Sequence, residues 1–289
     1  MRTVLTMKTR LMMAAVVAAV AVPLAGCTAS DATGEVVATN AVLASLVQMA
    51  VGDSLHVVSI VPDGKDPHEF QPSAGDIARV AGARIVVSNG FGYEPTLRKP
   101  IGRAQAGGVT VFDAERAVPS LDDPHWFTDP VAAGQVLTAL VPVLEKATGN
   151  NYGETFAAAT DELRATVESA RGELATVPGG KCDYAVEHVL LSPFGTRFGC
   201  SGSVVLNAGS RIPNAEPSAA DIERFVGAIT SKGIAAVVED RSEPSRILAE
   251  VSRQTGAALV KVDVHGMGGA RSYPEYIVNM ARALAGALS

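Results

Sequence analysis

The chain has 289 residues, of which 47% are hydrophobic and 19% charged, and only three are cysteines. This composition excludes a disordered chain, because enough apolar side chains are present to form a core. It also excludes a small scaffold that depends on many disulfides. Basic residues number 24 and acidic residues 30, for a net charge of -6. An acidic chain argues against nucleic-acid binding, which normally requires a basic surface.

The N-terminus has the layout of a secretory signal. Three basic residues, Arg2, Lys8 and Arg10, precede an uninterrupted apolar run over residues 11–24. Small residues follow that run, and the run itself is short for a membrane span. We therefore expect the folded body to lie outside the cytoplasm.

A lipid anchor is predicted directly after the apolar run. Residues 24–27 read Leu-Ala-Gly-Cys and resemble a bacterial lipobox, in which a diacylglycerol is attached to the cysteine, here Cys27. We expect a signal peptide over 1–26 and a small, polar tether over 27–34. Together they would hold the protein at the cell membrane, on its extracytoplasmic face.

The other two cysteines are Cys182 and Cys200. In an oxidising compartment, two lone cysteines favour a disulfide over a reactive thiol. We therefore expect these two residues to be bridged.

Strand-like and helical patterns alternate along the first part of the body. The β-branched runs cover 35–38, 56–60, 84–87 and 109–112, and helical patterns cover 41–50 and 73–81. Strands that alternate with helices predict a parallel sheet covered on both faces.

A long helix is predicted next. Residues 151–176 contain no proline, and at about 26 residues this stretch is long for a globular helix. The alternation then resumes over 184–186, 204–206, 219–230, 235–238, 244–255, 258–262 and 274–288.

The predicted fold class is therefore α/β, with two α/β lobes with parallel sheets joined by one long helix. We place the N-terminal lobe at 35–146, the linking helix at 147–178 and the C-terminal lobe at 179–289. Ligands of such sheets bind at the carboxyl ends of the strands, so a site is expected in the cleft between the lobes.

Local catalytic motifs are incomplete in this sequence. His68-Glu69 begins like a helical zinc-protease motif, but Pro72 stands where the second histidine would be needed. No phosphate-binding loop, dinucleotide loop or nucleophile elbow is complete. A serine-histidine-acid triad stays open, since its members need not be close in sequence.

Histidines mark the ends of several predicted strands or the loops beyond them. His68 and His125 each close an Asp-Pro-His tripeptide, His188 follows a strand-like run and Asp263 ends another. Four such donors from four loops suit a tetrahedral metal site to which both lobes contribute. A loop histidine is more often only hydrogen-bonded. The spacing alone therefore leaves open whether these residues bind a metal or only form hydrogen bonds.

Longer motifs resemble a known family. Residues 61–73 and 89–94 are similar to the solute-binding lipoproteins of bacterial zinc and manganese ABC importers, and 123–130 resembles the second ligand motif of that family. The similarity continues through the long helix and through 187–188, 197–199, 216–218 and 262–263. It covers nearly the whole predicted mature chain.

The resemblance implies one metal ion in the cleft, bound by His68, His125, His188 and Asp263. Glu187 is a rival for the place of His188. The zinc members of the family carry histidine there and the manganese members carry a carboxylate. Three imidazoles and one carboxylate favour zinc, so we expect one Zn²⁺ per chain, bound as the transported ligand.

Residues beside these positions have secondary roles. His265 is an alternative ligand or an outer hydrogen-bond partner of one, and Glu239 is a second candidate for an outer partner. Asp66 and Asp123 precede prolines and are predicted to form turns rather than to bind metal.

The resemblance also implies partners. A receptor of this family passes its metal to an ABC permease driven by an ATPase and catalyses no reaction, and we expect a monomer. Residues 95–121 lack the histidine-rich loop of many zinc members, so our hypothesis is that a metallochaperone supplies the metal.

Two alternatives remain at this point. The nearer is a manganese or iron(II) receptor of the same fold. The more distant is a secreted metallohydrolase, which needs a coordination position that is open to water.

Overall fold

The computed structural model describes residues 35–206 and 217–289. The predicted signal peptide, the lipidation site Cys27 and the tether lie outside the described residues. Within those ranges, no helix is both long enough and apolar enough to cross a membrane.

The first lobe contains a parallel sheet of four strands. These are β1 (Val36–Ala38), β2 (Val57–Ser59), β3 (Ile85–Ser88) and β4 (Thr110–Asp113), in the order β2-β1-β3-β4. Helices α1 (Ala41–Val51), α2 (Ala74–Gly82) and α3 (Arg98–Ala106) connect them. All four strands run the same way, so their carboxyl ends meet at one edge of the sheet.

The second lobe repeats this topology. Its strands are β5 (Cys182–Val186), β6 (Cys200–Val205), β7 (Ala236–Asp240) and β8 (Ala258–Val262), in the order β6-β5-β7-β8. Its helices are α6 (Ser192–Phe198), α7 (Ala219–Lys232), α8 (Arg246–Thr255) and the C-terminal α9 (Tyr273–Leu288). The predicted fold of two α/β lobes with parallel sheets is thus confirmed.

Along the chain, two long helices follow the first sheet and precede the second. Helix α4 covers Pro130–Thr148, and α5 covers Gly153–Leu174 and joins the lobes. Helix α5 falls inside the predicted linking segment 147–178, and we propose to keep that segment as the boundary between the lobes.

Helix starts follow directly from the sequence. Ser73 and Asp76 form a reciprocal capping box at the start of α2, and Ser218 with Asp221 forms the same arrangement at α7. Each pair satisfies backbone donors that the first helical turn leaves free. Asn40 caps α1 by accepting the backbone N–H of Leu43 at 2.9 Å.

A disulfide links the first residues of two neighbouring strands. Cys182 and Cys200 are directly opposite in the register of β5 and β6, with their Cα atoms 4.4 Å apart. The bond ties the edge strand β6 to the centre of its sheet.

The largest group of buried apolar side chains includes residues from both lobes. It contains Val36 of β1, Leu163 of α5, Tyr184 of β5 and Tyr276 of α9, all less than 5% exposed. A continuous apolar core resists large relative movement, because separating the lobes would expose it to water. The cleft therefore opens at the loops, above a shared core.

Candidate metal site

Four histidines lie in loops that follow strands. His68 lies in the loop after β2, His125 in the segment after β4, His188 after β5 and His265 after β8. Each lobe supplies two of them. This placement agrees with the tendency of parallel α/β sheets to bind ligands beyond the carboxyl ends of their strands.

Both Asp-Pro-His tripeptides form the same local turn. Asp66 Oδ1 accepts the backbone N–H of His68 at 2.8 Å, and Asp123 Oδ1 accepts that of His125 at 2.8 Å. The aspartates thus form the predicted turns, because a side-chain oxygen two residues upstream replaces a backbone acceptor. The repeated tripeptide therefore gives His68 and His125 the same backbone hydrogen bond.

Asn89, just after β3, holds the second of these turns in place. Its Nδ2 donates to the carbonyl of Pro124 at 2.8 Å, and its own carbonyl accepts the indole N–H of Trp126 at 3.1 Å. The backbone N–H of Asn89 donates to the buried carboxyl of Glu94 at 2.9 Å. His125, between Pro124 and Trp126, is therefore positioned by the end of the central strand.

Three imidazoles converge across the cleft. Ring centroids lie 6.1 Å apart for His68 and His125, 5.8 Å for His68 and His265, and 5.7 Å for His125 and His265. One nitrogen of each ring lies within 4.8 Å of the other two. Tetrahedral zinc with bonds of about 2.0–2.1 Å holds nitrogens roughly 3.4 Å apart, so small ring movements would complete such a site.

Two of these rings have nitrogens without a protein partner. His125 Nδ1 contacts Asp123 Oδ1 at 3.0 Å, so this nitrogen carries the proton and Nε2 presents a lone pair. His125 Nε2 and both ring nitrogens of His265 are buried without a hydrogen-bond partner. Buried polar atoms normally have a partner, and a metal ion would supply it.

Burial keeps the imidazoles neutral. Desolvation lowers the pKa of His68, although the charge of Asp66 opposes the shift. Desolvation likewise lowers the pKa of His188, and it lowers that of His265 to about 4 against the opposing effect of Asp240. Neutral imidazole is the form that binds metal, so these rings are ready to coordinate at neutral pH.

Asp263, the predicted fourth ligand, is not among the described residues whose ligand atoms converge here. Its carboxylate pairs with Arg241 at 3.1 Å, and it packs against Gly268, where an added Cβ would fall 2.2 Å from Asp263 Cγ. The position beside His68 and His125 belongs to His265, two residues further on. The alternative ligand considered for this loop is thus the one that the tertiary structure brings to the site.

His188 lies next to the three-histidine group without being part of it. Its pKa is lowered further by the proximity of His125, after desolvation. It lines a cavity of ≈ 350 Å³ together with five carboxylate residues of both lobes, Glu69, Glu187, Glu239, Asp240 and Glu243. Glu187, its rival as a ligand, is thus in the same cavity wall.

Glu239, the predicted outer partner, lines the same cavity as His188. Its carboxylate accepts the backbone N–H of Ser245 at 2.9 Å and pairs with Lys261 at 3.2 Å, so it holds the end of β7. Asp240, the last residue of β7, accepts the backbone N–H of His265 at 3.1 Å and is 2% exposed. The signal in the sequence that could have placed Asp240 near the site is its position at the end of strand β7.

A second group of side chains adjoins the first. Ligand atoms of Asp66, Glu243 and His265 lie within 4.8 Å of one another. Burial raises the pKa of Glu243 to about 8, and contact with Asp66 adds to the effect. His265 therefore belongs to two groups, one with further nitrogen donors and one with oxygen donors.

The lobes touch directly beside His265. The backbone N–H of Met267 donates to Asp63 Oδ1, and a Cβ added to Gly266 would lie 2.5 Å from the backbone nitrogen of Gly64. Below the site, the hydroxyl of Tyr273 donates to the carbonyl of Phe127 at 2.7 Å. These contacts close the cleft around the imidazoles.

Fold and site together define a class: two-lobe α/β binding proteins with a histidine cluster in the cleft. The sequence matches the profile of the ZnuA family, described as "Zinc-uptake complex component A periplasmic", over residues 36–287. The chain belongs to this family.

Individual relatives agree with the assignment. The metal ABC transporter substrate-binding lipoprotein ScbA of Streptococcus cristatus is 26% identical over 185 residues, covering 55% of this chain and 60% of its own. The chain spans between 27% and 60% of the length of the first curated relatives it matches.

Solved structures share the fold. The periplasmic zinc-binding protein TroA of Treponema pallidum superposes with a TM-score of 0.76 at 20% identity, over 89% of this chain and 99% of the other. FpvC of Pseudomonas aeruginosa in complex with Mn²⁺ gives 0.74 at 22% identity, over 89% and 98%.

Proposed function

We propose that this protein is the extracytoplasmic zinc-binding component of an ABC importer. The observation that carries the proposal is the convergence of His68, His125 and His265. Nε2 of His125 and both ring nitrogens of His265 are buried without a partner. Three imidazoles form a nitrogen-rich set, which suits zinc better than manganese. ScbA, a relative, is named as a metal receptor of such a transporter.

His188 completes the coordination in this proposal. It lies in the loop after β5, at the edge of the three-histidine group, and it is half-buried. Four protein ligands close the site to water, as in non-catalytic zinc sites. The protein then acts as a carrier with one bound ion and catalyses no reaction.

The zinc passes from this site to a membrane permease that an ATPase drives. Cys27 anchors the chain by a lipid at the cell membrane, on the extracytoplasmic face, and the chain acts as a monomer. The disulfide between Cys182 and Cys200 supports an oxidising compartment. A metallochaperone supplies the metal, because residues 95–121 contain no histidine that would gather zinc.

Metal content after competition tests this proposal. The full-length protein, purified in detergent and stripped with a chelator, is equilibrated with equal zinc and manganese and analysed by element. One zinc per chain is expected for the wild type and for His56→Ala, which removes an exposed histidine outside the site. His125→Ala should lose most of the zinc.

Other results would select an alternative. Retention of manganese by the wild type would favour a manganese receptor of the same fold, and retention of iron(II) in a parallel anaerobic competition would favour an iron receptor. Hydrolysis of an ester or peptide that is lost in His125→Ala would favour a secreted metallohydrolase. Equal zinc in His125→Ala and His56→Ala would reject the histidine site.

A further inference from the structure

Asp66, Glu243 and His265 form a second ligand set beside the three histidines. Asp66 comes from the loop after β2, Glu243 from the turn after β7 and His265 from the loop after β8. Their ligand atoms lie within 4.8 Å of one another. This mixed set offers two carboxylates and one imidazole, whereas the neighbouring set offers imidazoles alone.

His265 has two available nitrogens. Its side chain is 1% exposed, and neither Nδ1 nor Nε2 has a hydrogen-bond partner. The nearest carboxylate, that of Asp240, lies 3.9 Å from Nδ1, which is beyond hydrogen-bonding distance. A metal-binding imidazole normally has its second nitrogen held by a carboxylate or carbonyl. No hydrogen bond holds either nitrogen of His265, and the ring contributes a ligand atom to both sets.

Asp66 also has an unused atom. Its Oδ1 accepts the backbone N–H of His68, while its Oδ2 is buried without a partner. Within the described ranges, no lysine or arginine forms an ion pair with Asp66 or Glu243, whereas Lys261 pairs with Glu239 and Arg241 with Asp263. Clustered carboxylates without a cationic side chain favour a bound cation.

We propose that Asp66, Glu243 and His265 form a second divalent-cation position, which takes harder ions such as Mn²⁺. Carboxylate oxygens suit manganese, which fills its remaining coordination positions with water. Neutral imidazole has one lone pair on its ring nitrogens, so His265 serves only one of the two positions at a time. The cleft then holds one ion, either among the histidines or among the carboxylates. The inference rests on the proposed function at one point only, namely that His265 is also a ligand of the zinc ion.

Electron paramagnetic resonance of Mn²⁺ tests the second position, because the sharp signal of free Mn²⁺ is lost on binding. The full-length protein in detergent carries His125→Ala in every sample, which disables the three-histidine set and leaves the mixed set whole. Added Glu243→Gln should weaken Mn²⁺ binding at least tenfold. Added Glu69→Gln removes an exposed carboxylate of the same cavity that is outside the set, and it should leave binding unchanged.

Several results would overturn the proposal. They are absence of Mn²⁺ binding in His125→Ala, retained binding after Glu243→Gln, and equal losses in Glu243→Gln and Glu69→Gln. If Glu243→Gln does not fold, Asp66→Asn decides, because its side-chain oxygen still accepts the N–H of His68. With zinc and manganese both in excess, the wild type should bind one ion per chain. Two ions per chain would show that the two positions do not compete for His265.

The outcome is separable from that of the proposed function. A wild type that binds no zinc would reject the zinc receptor. Manganese binding that depends on Glu243 would still establish the second position.

Discussion

The carboxylate of Asp123 holds His125 at two points with one oxygen. Asp123 Oδ1 lies 2.8 Å from the backbone nitrogen of His125 and 3.0 Å from its ring Nδ1. The same contact sets the turn, the tautomer and the direction of Nε2. Asp66 Oδ1 accepts the backbone N–H of His68 in the same way.

Asp123→Asn should weaken zinc binding by about tenfold, the lower end of what such outer partners contribute. The amide oxygen still accepts the backbone N–H, but it is a weaker acceptor for the ring than a carboxylate. Competition with a fluorescent zinc chelator measures the effect. Asp122→Asn, at an exposed neighbouring acid, is the control, and equal losses in the two variants would contradict the role of Asp123.

His265→Ala should cost more zinc affinity than Asp263→Asn. The first substitution removes a ring that contributes one nitrogen to the cluster, so its loss should exceed the roughly 10–100-fold typical of an outer partner. The second breaks a half-exposed pair with Arg241, and such pairs contribute about 0–1 kcal/mol. Isothermal titration with zinc compares them. A greater loss in Asp263→Asn would restore the carboxylate as the ligand.

His188→Ala and Glu187→Gln form a second matched pair. Both residues follow β5 and line the same cavity. If His188 is the fourth ligand, its removal lowers zinc affinity and leaves a water in its place, while Glu187→Gln has little effect. Cobalt substitution reports the change, since the visible spectrum of Co²⁺ depends on coordination number and ligand type. The reverse order of effects would assign the position to Glu187.

Gly266→Ala should separate the two loops that close the cleft. The new Cβ would lie 2.5 Å from Gly64 N and 2.7 Å from Asp63 Oδ1. Forced overlap of this kind costs about 1–3 kcal/mol, and the resulting shift displaces His265. Zinc affinity and Tm should both fall. Gly227→Ala in α7, where a Cβ meets no atom within 4 Å, should lower neither, and equal effects would argue against the loop contact.

Zinc release should begin below the ordinary histidine range. The pKa values of His68, His188 and His265 are lowered by burial, that of His265 to about 4. These ligands stay neutral from pH 8 to about 6.5, so proton competition at them is small there and grows only at lower pH. Zinc titrations across this range measure it. A steep loss between pH 8 and 7 would contradict the neutral cluster.

The metal-free protein should also lose stability in acid. A histidine with a folded pKa of about 4 and an unfolded value near 6.5 binds its proton more readily when unfolded. His265 therefore lowers stability progressively as pH falls from about 6.5 to about 4. Urea unfolding at several pH values should show a flatter dependence for His265→Gln than for the wild type. Parallel curves would reject this assignment.

Local patterns were enough to predict most of the fold. Runs of β-branched residues separated by helical periodicity indicate parallel α/β layers, because inner strands such as β1, β3 and β7 are buried on both faces. Helices α3 and α6 were not predicted. Pro100 and Gly102 interrupt the pattern of α3, and α6 has only seven residues and begins with Ser192-Pro193.

The sequence by itself determined the two Asp-Pro-His turns, since an aspartate two residues upstream bonds the backbone of each histidine locally. It could not decide between Asp263 and His265, because both lie in the irregular loop after β8. Asp240, from the neighbouring strand, binds the backbone of His265, and Arg241 pairs with Asp263 on another side. Both partners lie more than 20 residues away, so only the pairing of β7 with β8 places His265, rather than Asp263, in the histidine cluster.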